Sequence, residues 1–235
     1  MLRKLISFVL SYLVGTLSMY CMIYPTAETN FSSLILHART FDAMKDCKGP
    51  TRLSLIFNPQ AAPKYGSFKR ASFGHLSSSI FPGSESTSVC IKQCWYLCKA
   101  SGVRLVYDNH TQITKLTAEI NCLRWAGALM GIVYDYINNF IKVHGKPSFN
   151  IPEIRFVKSA LAVIDTTHET YMVEEVIDEV VDGAFVKYIG NGSVKPLDFL
   201  SGTAAAYLAQ FLSFSQHVQY VKTKGLAFIG DFQGK

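Results

Sequence analysis

No two cysteines in this 235-residue chain are spaced as CxxC. Cys21, Cys47, Cys90, Cys94, Cys98 and Cys122 therefore encode no zinc ribbon by themselves, and their spread is too loose for a disulfide scaffold in a chain this long. Cys90, Cys94 and Cys98 recur every four residues; read as strand then loop, they share no compact ligand face. There is no block of like charges, which argues against a nucleic-acid-binding tail, so no nucleic-acid partner is expected. No internal repeat is found, which removes the repeat architectures.

What is present is apolar and basic. Apolar residues make up 49% of the chain, enough for one or two cored domains. The net charge is +6, and it is unevenly placed. Residues 1–118 hold 13 Lys/Arg against 5 Asp/Glu, and residues 119–235 hold 10 against 12. A basic front half suits an anionic ligand such as a phosphate; basic residues scattered over a solvated surface are the competing reading.

The first 24 residues stand apart. After Arg3 and Lys4, no charge falls between Leu5 and Tyr24. As a helix, such a run of about 20 residues just crosses a hydrocarbon core, so membrane insertion through residues 5–24 is expected, as an anchor or a signal segment. The basic end places the body outside the cytoplasm. The sequons at Asn30, Asn109 and Asn191 are compatible with that, though such triplets also arise by chance. The competing reading is an amphiphilic segment packed on the body, diluted by Ser7, Ser11, Thr16 and Ser18.

Residues 25–62 read as a variable lead-in with one strand at "RLSLIF". "YGSFKRASFGHL" is turn-rich and reads as a loop or hairpin, "VCIKQCWYLC" as a buried strand and "GVRLVYD" as another. From Thr117 the spacing turns helical, with Ile120, Leu123, Leu129, Ile132 and Ile137 on the pattern. Thr117 serves as N-cap, Glu119 falls in the first turn, and Gly145 ends the helix. "IRFVKSALAVID", "TYMVEEVIDE" and "AFVKYIG" read as strands. "SGTAAAYLAQFLSFSQHVQYV" reads as a helix capped by Ser201 or Thr203, and "GLAFIGDFQG" as a final strand. The body is α+β.

Phosphoryl transfer needs a lysine on the phosphates, a carboxylate to fix it, oxygen acceptors for magnesium and an aspartate near the nucleophile. "VCIK" offers a strand lysine, Lys92, but there is no HRD and no true DFG, so the ordinary kinase set is incomplete. Around Lys92 stand a glycine-bearing loop with Lys69 and Arg70, Glu119 where a helix packing on the sheet can pair with Lys92, an apolar strand ending in Glu174 and Glu175, and the terminal Asp231 and Gln233. Each has a plainer reading: a snorkelling lysine, a first-turn charge, a solvated acidic edge with Asp178 and Glu179, a turn aspartate.

Taken in order, "GSFKRAS", "VCIKQCWY", "AEINCLRWA", "HETYMVEEVIDE", "FVKYIGNGSV", "FSQHVQYVKTKG" and "GDFQG" resemble the alpha-type atypical protein kinases, most closely their fungal members. The resemblance covers about residues 65–235. It implies a two-lobed kinase-like fold: a mixed or antiparallel sheet in the amino lobe, one long helix and an incomplete carboxyl lobe, with the kinase domain at 63–235. It further implies ATP-dependent Ser/Thr phosphorylation of a protein substrate. Lys92 then contacts nucleotide phosphate. Lys69, or failing it Arg70, supplies the phosphate-loop cation, and Glu119 stands near the strand lysine. Glu174 and Glu175 form the hinge that reads adenine. Asp231 acts near the transferred phosphate and binds magnesium with Gln233. His217 falls where the family keeps one zinc-binding histidine. By this resemblance the chain is cytoplasmic, against the membrane-anchored or secretory placement that its first residues suggest.

The chain ends at Lys235, before the family's second magnesium-binding aspartate, second zinc histidine, cysteine pair and substrate loop. His217 is thereby an orphan zinc ligand, and low or no phosphotransfer is expected of this chain. A non-catalytic nucleotide-binding or membrane-tethered module derived from such a kinase is the alternative.

Overall fold

The computed structural model describes residues 16–26, 28–36, 41–45, 47, 49–177 and 185–234. The chain divides into two compact units, one of residues 1–27, 42–121 and 157–176, the other of residues 28–41, 122–156 and 177–235. Both helices and strands are present, so the α+β expectation holds.

The first unit is a closed antiparallel barrel. Its six strands are β1 (Leu17–Pro25), β2 (Thr51–Phe57), β4 (Lys69–Leu76), β5 (Ser88–Leu97), β7 (Ser159–Ile164) and β8 (Thr170–Glu175), paired in the order β4, β2, β1, β7, β8, β5 and back to β4. Closure gives each of the six two neighbours and removes free edges. β3 (Lys64–Tyr65) adds to β4 as the hairpin expected at "YGSFKRASFGHL", and β6 (Arg104–Val106) adds to β5. Alternate side chains fill the interior: Cys21, Ile23, Leu55, Phe57, Val89, Ile91, Ala160, Ala162 and Val173 form its core. Gly74 allows β4 to close the wall. A Cβ there would sit 2.6 Å from the Ile56 carbonyl oxygen and 2.8 Å from Ile91.

Two expectations change here. Residues 17–24, the second half of the apolar run, are not a helix. They form β1, paired to β2 on one side and β7 on the other, with Cys21 and Ile23 fully buried. The first half of that run lies outside the described residues. The strand expected at "RLSLIF" in the lead-in of 25–62 is β2; what changes is that it belongs to the barrel wall. No helix among the described residues is long and apolar enough to cross a membrane.

The long helix, α2 (Asn109–His144), follows a short α1 (Phe31–Leu36) and begins eight residues before the expected start. Its cap is Asp108 rather than Thr117: the Asp108 carboxylate accepts the Thr111 N–H at 2.9 Å and the Thr111 hydroxyl at 2.8 Å. Those bonds hold the Asp108 carboxyl below its ordinary range. Gly145 ends the helix as expected, at φ 85°, its N–H reaching the Ile141 carbonyl. Glu119 is therefore three turns into the helix.

The second unit holds α1, α2 from Cys122, β9 (Val186–Ile189), a short 3-10 turn (Asp198–Leu200), α3 (Ala205–Lys222) and β10 (Phe232–Gly234). β9 and β10 pair antiparallel, with a bulge at Phe232/Gln233. Tyr188, Ile189, Leu200, Ala209, Leu212 and Phe232 make one core; Met130, Val133 and Val218 make another. The N-cap of α3 is Ala204, without a side-chain bond, in place of Ser201 or Thr203. Only the last residues of the expected final strand are strand. The acidic stretch at Asp178 and Glu179 lies outside the described residues.

Candidate functional site

Strand alternation sorts β5 into two sets. Val89 and Ile91 enter the core, so Cys90, Lys92 and Cys94 stand on the opposite, outer face. Register then places the neighbours. Ala71 lies opposite Lys92 and Lys69 opposite Cys94, so Lys69 and Lys92 share this face on adjacent strands. On the other side Glu174 lies opposite Cys90, on the same face again.

Each lysine is held by a carboxylate. Lys69 Nζ meets Glu119 Oε2 at 2.5 Å, and Lys92 Nζ donates to Glu174 Oε2. Glu119 was expected beside Lys92. It instead holds Lys69, and Lys92 takes its partner from β8. The Glu174 side chain is only 8% exposed, so Lys92 neutralises a nearly buried charge.

The field around the two thiols maps the other cations. Burial pushes the Cys90 thiol up; Lys92, Lys64 and Lys69 pull it down, and Glu174 raises it. Burial also raises Cys94, against Lys69 and Lys115, with Glu119 adding to the rise. Four lysines against two glutamates leave this face net positive, which fits a polyphosphate.

Two other residues singled out by sequence turn away from it. Arg70 points to the inner side of β4, where its Nε and a terminal nitrogen donate to Gln93 Oε1 at 3.2 and 2.6 Å. Glu175 accepts the Lys158 N–H at 2.8 Å. Strand alternation separates each from its neighbour, Lys69 or Glu174.

One positioning residue escaped the sequence reading. Gln112, 1% exposed, accepts the Cys94 N–H at 2.9 Å and donates to the Cys94 carbonyl at 2.7 Å. It ties the first turns of α2 to β5 two residues from Lys92. Ile113, Leu116 and Ile120 already carry helical spacing over this region, and that signal would have placed it on the helix.

In the second unit, Asp231 immediately precedes β10 and Gln233 lies within it, both exposed. Asp231 faces Lys187 at 3.5 Å. The segment leading to it is held by two buried glutamines of α3. Gln216 donates to the Ile229 carbonyl at 2.7 Å, and Gln219 accepts the Ile229 N–H at 2.9 Å. One carboxylate and one amide oxygen are hard donors of the kind that magnesium takes. Zinc is not fitted. His217 is exposed on α3, and no three His, Cys, Asp or Glu side chains among the described residues form a metal group.

No protein-family model matches this chain, and no curated protein matches it.

Proposed function

We propose that the outer face of β4 and β5 binds the phosphates of ATP, as part of an alpha-type Ser/Thr protein kinase domain. In this reading the barrel unit is its amino lobe and the second unit its carboxyl lobe. The observation that carries the reading is the pair of lysines on one sheet face, Lys69 and Lys92, each held by a carboxylate. A lysine already oriented by an acid loses little freedom when a phosphate arrives. Lys92 holds one phosphate group, Lys69 a second, and Lys64 and Lys115 add to the attraction. Glu119 and Glu174 keep the two ammonium groups extended along the sheet. The adenine would lie past the carboxyl end of β8, which Glu174 and Glu175 mark, because their own backbone is engaged by β5 and β7. On the second unit, Asp231 and Gln233 are the residues that would hold magnesium, the ion that supplies charge neutralisation in phosphoryl transfer, and Asp231 would be the carboxylate for the protein hydroxyl.

The Lys187–Asp231 pair favours a second reading, in which nucleotide binds without transfer. Lys187 competes for the carboxylate that magnesium needs, and one carboxylate with one amide is a thin donor set. Binding is therefore expected to exceed turnover.

A thermal-shift titration with ATP and magnesium tests the binding. At ATP a hundredfold above Kd, stabilisation of about 2.7 kcal/mol is expected. Lys92→Met with Glu174→Gln should remove most of it while leaving no buried charge unpaired. The reading fails if ATP does not shift the melt, or if the double variant shifts like the parent. Transfer of radiolabelled phosphate to a basic peptide separates the two functions. Turnover abolished by Asp231→Ala supports the kinase, and its absence beside firm binding supports the non-catalytic module.

A further inference from the structure

We infer that the second unit carries a binding groove for a free long-chain carboxylate, separate from the nucleotide reading. The groove lies between the carboxyl-terminal part of α2 and α3 and has a volume of about 510 Å3. That is within the range of small-molecule sites, about 300–1,000 Å3. Six aromatic side chains line it: Tyr136, Phe140, Phe149, Tyr207, Phe211 and Phe214.

Large rings form the helix contacts. Phe211 stacks on Tyr134 with centroids 6.5 Å apart and meets Phe214 at 6.2 Å, and Tyr136 faces Phe214 at 6.4 Å. These rings hold the two helices apart and leave a trough between them. The trough is open to water: Phe140 is 54% exposed, Phe149 60% and Phe214 40%. A contiguous exposed aromatic surface marks a binding site more often than a bare surface does.

Charge selects the occupant. Besides the Tyr136 and Tyr207 hydroxyls, the polar side chains of the lining are His144, Lys146 and Gln210, and it contains no Asp or Glu. Lys222 lies 5.0 Å over the Tyr136 ring at the adjoining depression. The acid there, Asp135, shares that depression with Lys222. A cationic amphiphile would meet Lys146 and Lys222. A neutral one would gain nothing from them. An acyl chain laid in the trough, with its carboxylate at Lys146, satisfies both the apolar lining and the basic rim.

Titrating the full chain with cis-parinaric acid, below the concentration at which it forms micelles, should give saturable fluorescence. The corresponding alcohol should bind about tenfold more weakly, the difference of one charge-assisted contact. Lys146→Glu should weaken the acid about tenfold and leave the alcohol unchanged. Phe214→Ala or Phe140→Ala should weaken both probes, and each ring is exposed enough for the fold to persist, as a circular-dichroism melt will show. Equal binding of acid and alcohol would overturn the assignment, as would indifference to Lys146→Glu. So would a signal seen only when anionic vesicles are added, which would make the groove a membrane contact. Loss of the signal as the protein dimerises with concentration would make it a contact between copies.

Discussion

In the barrel unit each of the six wall strands pairs on both sides, and one continuous core fills the interior. In the second unit, among the described residues, β9 and β10 pair with a bulge between them, and buried apolar residues gather in separate clusters around Ile189 and Val133. The units nevertheless solve one problem the same way. Each fixes a segment bearing candidate site residues with buried helix glutamines that bond a single residue's backbone. Gln112 grips Cys94 beside Lys92, while Gln216 and Gln219 grip Ile229 ahead of Asp231. The difference is what surrounds the grip. In the barrel a closed hydrogen-bond ladder already fixes β5, so Gln112 sets the helix. In the second unit residues 226–231 have no ladder, so the glutamines at Ile229, with Thr223 bonded to the Ala227 N–H and carbonyl, set the path.

Five substitutions sharpen that contrast, from the largest expected effect to the smallest. Ile23→Ala empties a fully buried barrel position and should cost about 4 kcal/mol. A urea midpoint unchanged by it would mean that residues 17–25 are not part of the wall. Gly74→Ala should cost about 3 kcal/mol, because the new methyl meets a backbone oxygen that cannot swing aside. Tolerance of alanine would show that the barrel is looser than its register implies.

The matched pair Gln112→Ala and Gln219→Ala should each cost about 2 kcal/mol by stranding buried backbone groups. Their exchange signatures should differ. Amide exchange should accelerate at Ile229 and along its neighbours in the Gln219 variant, whereas in the Gln112 variant it should accelerate at Cys94 alone, because the adjacent residues of β5 keep their ladder bonds. Acceleration spreading along β5 would erase the distinction between laddered and unladdered segments. Asp108→Ala should give the smallest loss, and that loss should depend on pH. The folded-state pKa is depressed, so the cap stabilises above the ordinary value of 3.8 and the benefit vanishes as pH falls through the folded value. Parent and variant melts should therefore converge in acid.

Several elements were legible in the sequence because their two faces differ. "RLSLIF" and "VCIKQCWYLC" became β2 and β5, and "YGSFKRASFGHL" became the β3–β4 hairpin. β1 was not legible. Its inward Cys21 and Ile23 alternate with Met22 and Tyr24, so the period of two disappears into an unbroken apolar run that mimics a membrane helix. The start of α2 was missed although Ile113, Leu116 and Ile120 carry helical spacing, because His110, Thr111, Gln112 and Thr114 dilute the stripe and its first turns are fixed by a cap and one buried amide. At the candidate site, residue types were legible and partners were not. Lys69, Lys92, Glu119 and Glu174 were all singled out, but which acid holds which lysine depends on register between strands far apart in the chain.

The amino-acid sequence by itself determined the α+β composition, most strand cores, the end of the long helix at Gly145, and a basic front half with lysines at positions 69 and 92. Tertiary structure decided that the strands close into a barrel, that residues 17–25 complete its wall, and that the two lysines share one face with crossed acidic partners. Local sequence sets which way a side chain points within its own strand. Closure and register set which side chains meet, and both depend on hydrogen bonds between segments separated by up to about 140 residues, such as β1 and β7.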